Sequence, residues 1–224
     1  MIRPFRLILL GLLLTTAMPF SMAQRILGGI SLGMNLCQVD GDEYYGFNKV
    51  GLNVGPMVSV PFGTKKQWSV SMELLYSQKG SYHYGDTDST TFRLNLDYAE
   101  IPIVLQYTDK QLISGGLGFS YGRLINYKET KNNFYDSIYR YKTPLSNNEF
   151  AVIADLRIRV WNRLWANLRY QYTMKNFRTV EVNYTVPYQQ PETRYQYNNV
   201  ITLRVTWVFN QPPAERRKKE TQGN

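Results

Sequence analysis

Hydrophobic and polar residues alternate with a period of two along most of the chain. The clearest example is the segment 201–209, where apolar side chains occupy the odd positions: Ile201, Leu203, Val205, Trp207 and Phe209. Thr202, Arg204 and Thr206 lie between them. Because successive side chains of a β-strand point to opposite faces, this pattern predicts a strand with one apolar and one polar face.

The same alternation predicts eight strands in all. They lie at 26–38, 47–60, 68–81, 92–107, 112–128, 152–160, 164–173 and 201–209. Glycines and β-branched residues are frequent in these segments, which disfavours helices. The apolar face of the fourth strand changes from even positions at Leu94 and Leu96 to odd positions at Ile101 and Ile103, so we expect a β-bulge near Tyr98.

The links between the predicted strands alternate between short and long. The short ones lie at 61–67, 108–111 and 161–164, and the longer ones at 40–46, 82–91, 129–148 and 176–198. In an up-and-down barrel this alternation collects the short turns at one end and the long loops at the other, as in outer-membrane barrels. We therefore predict an all-β, eight-stranded antiparallel up-and-down transmembrane β-barrel.

Aromatic residues gather at the predicted strand ends and indicate two girdles at the membrane interfaces. At the short-turn end they are Trp68, Tyr107, Trp161, Trp165, Trp207 and Phe209. At the long-loop end they are Tyr44, Tyr45, Tyr82, Tyr84, Tyr127, Tyr195 and Tyr197.

The chain begins like an exported protein. Arg3 and Arg6 precede an apolar segment at 7–18, and Ser21 and Ala23 are the small residues of a cleavage site between Ala23 and Gln24. We expect a signal peptide at 1–23, a barrel domain at 24–209 and a disordered, basic periplasmic tail at 210–224. With Cys37 as its single cysteine, the chain cannot form an internal disulfide.

Charge and hydropathy change this picture little. Lys and Arg number 26 against 17 Asp and Glu, for a net charge of +9, but without the compact basic motif of a nucleic-acid-binding protein. The excess suits acidic lipid headgroups or lipopolysaccharide. The mean hydropathy of −0.38 is compatible with a membrane barrel, because alternate residues of each strand face the lumen.

Seven charged residues occupy positions that we assign to the lumen. They are Glu73, Glu100, Asp155, Arg157, Arg159, Arg169 and Arg204. An eight-stranded barrel is barely wide enough for its own side chains. We therefore expect these charges to pair in one band as a structural plug rather than to line an ion path.

His83 is the one residue that offers a catalytic alternative. It lies in a predicted long loop with Asp86 and Asp88, and Ser81 and Ser89 are nearby candidate nucleophiles. The alternative is a lipid-modifying or proteolytic barrel enzyme; the simpler interpretation is an exposed polar loop. No residue spacing indicates a metal site or a cofactor.

Five segments, in this order and spacing, resemble the PorT-like outer-membrane β-barrel family of Bacteroidota. They are 33–42 (GMNLCQVDGD), 46–55 (GFNKVGLNVG), 73–80 (ELLYSQKG), 96–103 (LDYAEIPI) and 115–118 (GGLG). The resemblance spans most of 26–209; Cys37 and the tail after Phe209 depart from it.

The resemblance implies a barrel fold and a location in the cell outer membrane, without implying one activity. Some relatives belong to protein-secretion machinery, so outer-membrane lipid and secretion or surface proteins are the expected partners. The expected function is a non-enzymatic structural, surface-interaction or secretion-associated barrel. Besides the enzyme alternative, a soluble, exported, lipocalin-like ligand-binding barrel remains open, because parity alone does not distinguish inside from outside.

Overall fold

The computed structural model describes residues 26–42, 46–83, 92–131, 139–141, 143–182 and 191–211. The expected signal peptide, its cleavage site at Ala23 and Gln24, and the tail residues 212–224 lie outside these ranges. The strands are β1 (Leu27–Asp40), β2 (Lys49–Phe62), β3 (Trp68–Glu73), β4 (Leu75–His83), β5 (Phe92–Asp109), β6 (Ile113–Lys131), β7 (Tyr139–Tyr141), β8 (Asn148–Arg159), β9 (Leu164–Thr173), β10 (Arg178–Val182) and β11 (Glu192–Val208). No helix long and apolar enough to cross a membrane occurs in the described part of the chain.

The sheet closes on itself as a ring of eight antiparallel strands. Its order is β1, β2, β3 with β4, β5, β6, β8, β9 and β11, and β1 pairs with β11 from Gly29 opposite Val208 to Asp40 opposite Tyr197. Strands β7 and β10 extend the sheet at one end, where β10 pairs with the first residues of β11. The predicted eight-stranded antiparallel barrel is confirmed.

The third barrel strand is divided into β3 and β4 at Leu74, opposite a proline. The Leu74 amide donates to the Pro56 carbonyl at 3.1 Å. Pro56 has no N–H to return the bond, so the ladder is interrupted at this pair. The registers of β3 and β4 with β5 are nevertheless continuous, and the two segments form one strand of the wall.

The apolar faces of the strands point outward and the polar faces point into the lumen. Leu203 on β11 is 46% exposed and Leu168 on β9 is 45% exposed, whereas Thr202, Arg204 and Asn167 are buried. This is the arrangement of a barrel with lipid as its outer solvent. It is opposite to a soluble ligand-binding barrel, which requires an apolar interior.

A β-bulge lies opposite Tyr98, but it is on the neighbouring strand and does not explain the change of apolar parity. The register of β5 with β6 shifts between Asp97 and Tyr98, and the extra residue is Ile125 on β6. On β5 the even positions stay inside throughout, from Leu94 to Gln106. The change of apolar parity in the sequence arises because the lumen itself changes from apolar to polar along this strand.

The aromatic girdle at the short-turn end is present, with one exception. Exposed rings there belong to Trp68, Tyr107, Trp161, Trp207 and Phe209. Trp165 instead is buried inside the barrel, where its Nε1 donates to Gln211 Oε1 at 2.7 Å. At the long-loop end Tyr127 and Tyr195 are exposed; Tyr44, Tyr45 and Tyr84 lie outside the described residues.

Candidate functional site in the barrel lumen

The seven charged residues assigned to the lumen are all buried inside the barrel. They are Glu73, Glu100, Asp155, Arg157, Arg159, Arg169 and Arg204. The structure brings five of them together, in what we name the lower charge network: Glu73, Asp155, Arg157, Arg169 and Arg204. It places Glu100 and Arg159 elsewhere.

Glu73 is the centre of the lower charge network and receives three guanidiniums from three strands. Arg157 Nη2 lies 2.8 Å from Oε1. Arg169 contacts both carboxylate oxygens at 3.1 Å, and Arg204 contacts them at 2.7 and 2.9 Å. The last two contacts are bidentate, the geometry in which arginine binds a carboxylate most strongly.

Asp155 is the second carboxylate of this network. Its oxygens accept from Arg157 Nε at 2.9 Å and from Arg169 Nε at 3.1 Å. The amides of Asn167 and Gln106 donate to it at 2.8 and 3.0 Å. Three guanidiniums therefore face two carboxylates, and the lower charge network carries a formal charge of +1.

Glu100 belongs to a separate group nearer the long loops, the upper charge cluster of Lys79, Glu100 and Glu149. The Lys79 ammonium contacts both carboxylates directly. Gln171 Nε2 donates to Glu100 at 3.1 Å, and Asn198 Nδ2 donates to Glu149 at 2.5 Å. One ammonium faces two carboxylates, so the formal charge of this cluster is −1, opposite to that of the lower charge network.

Neutral polar side chains lie between the two charged groups. Asn35 Nδ2 donates to Ser77 Oγ at 2.9 Å, and Thr202 Oγ1 donates to Asn35 Oδ1 at 2.9 Å. These bonds connect β1 to the third and the last barrel strands across the interior. Asn35 and Thr202 therefore find protein partners at this height, whereas Asn53 Oδ1, opposite Ser77, has no hydrogen-bond partner among the described residues.

An apolar layer fills the lumen above the upper charge cluster. It consists of Val39, Phe92, Leu94, Leu96, Tyr98 and Phe177. Phe177 lies in the link between β9 and β10, and its backbone amide donates to the Gln196 carbonyl at 2.9 Å. Its carbonyl accepts from the Ser146 amide at 2.7 Å, so two links between strands hold the ring in the mouth of the barrel.

Arg159 lies at the opposite end, apart from both charged groups. Its Nε donates to the Asn162 carbonyl at 3.0 Å, which fixes the turn between β8 and β9. The guanidinium lies 5.9 Å from the centroid of the Trp165 ring, within cation–π range.

Sequence reasoning missed Lys79 and Glu149. Lys79 shares its strand face with Glu73, and Glu149 shares its face with Asp155. Both residues occupy odd positions on strand faces already assigned to the lumen, so the alternation of the sequence could have identified them. Lys79 lies near the end of its predicted strand, and the sixth strand, predicted from residue 152, begins at Asn148. No signal points to Phe177, whose place depends on how a link folds back.

The residues considered for catalysis are only partly described. His83 is the last residue of β4 and pairs with Phe92 on β5. The hydroxyl of Ser81 donates to Asp42 Oδ2 at 2.6 Å. Asp86, Asp88 and Ser89 lie outside the described residues. Within the described ranges no group of three or more His, Cys, Asp or Glu side chains is placed to hold a metal ion.

A comparison with protein families identifies the class of barrel. The family model of the outer membrane protein beta-barrel domain matches residues 21–178. The chain belongs to this family. As an outer membrane protein beta-barrel domain it resides in the outer membrane, and the predicted location is confirmed.

Solved structures of similar fold are distant in sequence. The attachment invasion locus protein Ail of Yersinia pestis is 14% identical, with 82% of this chain and 98% of that chain covered and a TM-score of 0.45. The outer membrane protein OprG from Pseudomonas aeruginosa is 13% identical, with 83% and 94% covered and a TM-score of 0.39. No curated protein matches the sequence.

Proposed function

We propose that this protein is a closed, non-conducting outer-membrane barrel that acts through its surfaces rather than by transport or catalysis. The observation that carries the proposal is the stacking of the lower charge network, the upper charge cluster and the apolar layer in one narrow lumen. A water path would have to pass all three.

The energetics of the lower charge network favour a plug. Burying an unpaired ion inside a protein costs several kcal/mol of desolvation. Five charged side chains are therefore stable in a lumen without water only if they pair with one another. Here the arginines hold the carboxylates with forked bonds from three strands, and the side chains occupy the cross-section. An eight-stranded barrel leaves little further room.

The proposal extends to partners and export. We propose membership of the PorT-like group of Bacteroidota on the five motif segments, and hence outer-membrane lipid and secretion or surface proteins as partners. Export through a signal peptide cleaved between Ala23 and Gln24, and a basic periplasmic tail from residue 210, belong to the same proposal. Asn210 itself is anchored to the barrel, because its side chain bonds the Gly28 amide at 3.0 Å.

We propose no catalytic role for His83. The nearest described candidate nucleophile in the sequence, Ser81, is 5% exposed and donates its hydroxyl to Asp42. A nucleophile for acyl transfer needs both a base within hydrogen-bond reach and an approach for substrate.

Planar-bilayer recording tests the closed lumen. Purified wild-type protein should show no stable channels, because the three layers leave no continuous water path. A water-filled porin reconstituted in the same bilayers serves as the positive control. Stable single channels of large conductance from wild-type protein would overturn the proposal and favour a transport role.

Trypsin treatment of intact cells tests the orientation. We expect cleavage after Lys175, which is exposed at the long-loop end, and protection of Lys65, Lys66 and Lys110 in the short turns. In permeabilised cells the short-turn lysines should also be cut, which controls for their intrinsic susceptibility. Cleavage confined to the short turns of intact cells would reverse the proposed topology.

A further inference from the structure

The short-turn end of the barrel opens into a cavity of about 400 Å³, which we name the vestibule. This volume lies within the range typical of small-molecule sites. Four cationic side chains line it, Lys65, Lys66, Lys110 and Arg157, and the described residues of its lining include no Asp or Glu. Arg157 is paired with Glu73 and Asp155, and the Lys110 ammonium lies 3.8 Å from the Asp109 carboxylate. The excess positive charge therefore comes from Lys65, Lys66 and the +1 charge of the lower charge network, and it attracts anions.

Arg157 forms the charged floor of the vestibule. It is 5% exposed, and its Nε and Nη2 bond Asp155 and Glu73. Nη1 has no hydrogen-bond acceptor among the described residues, so two of its N–H groups are available to a ligand. Gln106 lines the cavity and donates to Asp155, which keeps that carboxylate behind the wall.

The rim of the vestibule holds lysines in a conformation that disfavours them. Lys66 has φ = 52° and Lys110 has φ = 46°, both in the left-handed region. That region costs a residue with a Cβ roughly 1–2 kcal/mol, and glycine is the usual occupant. Lysine at both positions places an ammonium group at the mouth of the cavity from two different turns.

The remaining wall of the vestibule combines five apolar residues with nine Ser, Thr or Gln residues. Met57, Leu27 and Val208 line it together with the ring of Trp165. A purely inorganic anion would leave this surface in contact with water. A ligand with an anionic head and a short apolar chain would cover both parts of the wall.

We propose that the vestibule is a binding site for an amphipathic anion, a phosphate or carboxylate head carried on an apolar chain. The head contacts Arg157 Nη1 and the rim lysines Lys66 and Lys110, and the chain lies against Met57 and Trp165. The pocket is blind, because the lower charge network closes it from above. This inference goes beyond the proposed function and depends neither on a partner protein nor on transport.

The test uses the full-length mature protein in nanodiscs of zwitterionic lipid, with hexyl phosphate and hexanoate as probes. Binding is followed by the indole N–H resonance of Trp165, assigned with the Trp165→Phe variant. We expect a saturable shift with both anions and none with hexanol or hexylammonium. Equal shifts with hexanol would overturn the proposal, and so would the absence of a shift both with the two soluble anions and with anionic phospholipid in the nanodisc.

Lys66→Gly combined with Lys110→Gly separates binding from folding. Glycine suits both backbone conformations, so the thermal stability should not fall. The affinity for hexyl phosphate should fall at least about tenfold, because two charge-assisted contacts are lost. Lys175→Gln, at the other end of the barrel, is the matched control and should bind like wild type. Unchanged affinity in the double variant would contradict the site.

Two sources of the anionic head are distinguished by lipid composition. A response to soluble hexyl phosphate in zwitterionic nanodiscs assigns the site to a free ligand. A Trp165 shift that occurs only when anionic phospholipid is included in the nanodisc, and that the double glycine variant abolishes, assigns it to a lipid headgroup of the adjacent leaflet. The absence of both responses would overturn the proposal.

Discussion

Glu73→Ala should destabilise the barrel by about 3–5 kcal/mol, the usual cost of removing one partner from a buried ion pair. The substitution leaves Arg157, Arg169 and Arg204 around Asp155 alone, so three buried guanidiniums share one carboxylate. The effect is measured as the free energy of unfolding in urea, in lipid vesicles, followed by tryptophan fluorescence.

Ser71→Ala is the matched control for Glu73→Ala. Ser71 lies two residues away on the same inner face of β3 and is fully buried, but its hydroxyl makes one long bond, of 3.5 Å, to the Val104 carbonyl. Its loss should cost less than about 1 kcal/mol. If Glu73→Ala unfolds at the same urea concentration as Ser71→Ala, the lower charge network does not stabilise the barrel.

Leu203→Arg should destabilise the inserted barrel by about 2–4 kcal/mol, the cost of an arginine facing lipid near the bilayer midplane. Leu203 is exposed on the outer face, five residues from the end of β11, and its strand partners Met34 and Leu168 are exposed and apolar as well. Folding into vesicles, measured by the mobility shift of unheated protein on gels, reports the loss.

Two comparisons control for Leu203→Arg. Leu203→Ala keeps the position apolar and should have a much smaller effect. The neighbouring Arg204 shows that arginine is tolerated one residue away when it points inward to Glu73. Normal insertion of Leu203→Arg would mean that this face does not contact the hydrocarbon core.

Strand parity accounts for most of what the sequence predicts correctly. Along most of β8, β9 and β11 the outer face is apolar and the inner face polar, so a period-two pattern identifies the strands and separates their two faces. The apolar residues on the inner faces are Ala151, Ile153, Trp165, Val200 and Val208. The alternation of short and long links indicates a membrane barrel, and with that choice the pattern places Asp155, Arg157, Arg169 and Arg204 inside it. Which carboxylate each arginine contacts depends on strand stagger, which the alternation does not encode.

The errors occur where the lumen is not polar or where a link enters it. Leu94 and Leu96 face inward because the lumen above Glu100 is apolar, whereas the parity rule assigns apolar residues to the outer face. Residue type alone assigns Trp165 to a girdle, although its position on β9 places it inside. The backbone of Phe177 donates to the Gln196 carbonyl and accepts from the Ser146 amide. These residues are far apart in the sequence, so no local pattern predicts the position of the ring.

The position of Glu73 also determines when its bonds can form. Its partners Arg157, Arg169 and Arg204 lie 84, 96 and 131 residues further along the chain, on strands three or four places away from β3 around the ring. Contacts made after the rate-limiting step leave the folding rate nearly unchanged and slow the reverse reaction. We therefore expect Glu73→Ala to shorten the lifetime of a completed barrel more than it slows assembly, because bonds between strands so far apart in the ring form late.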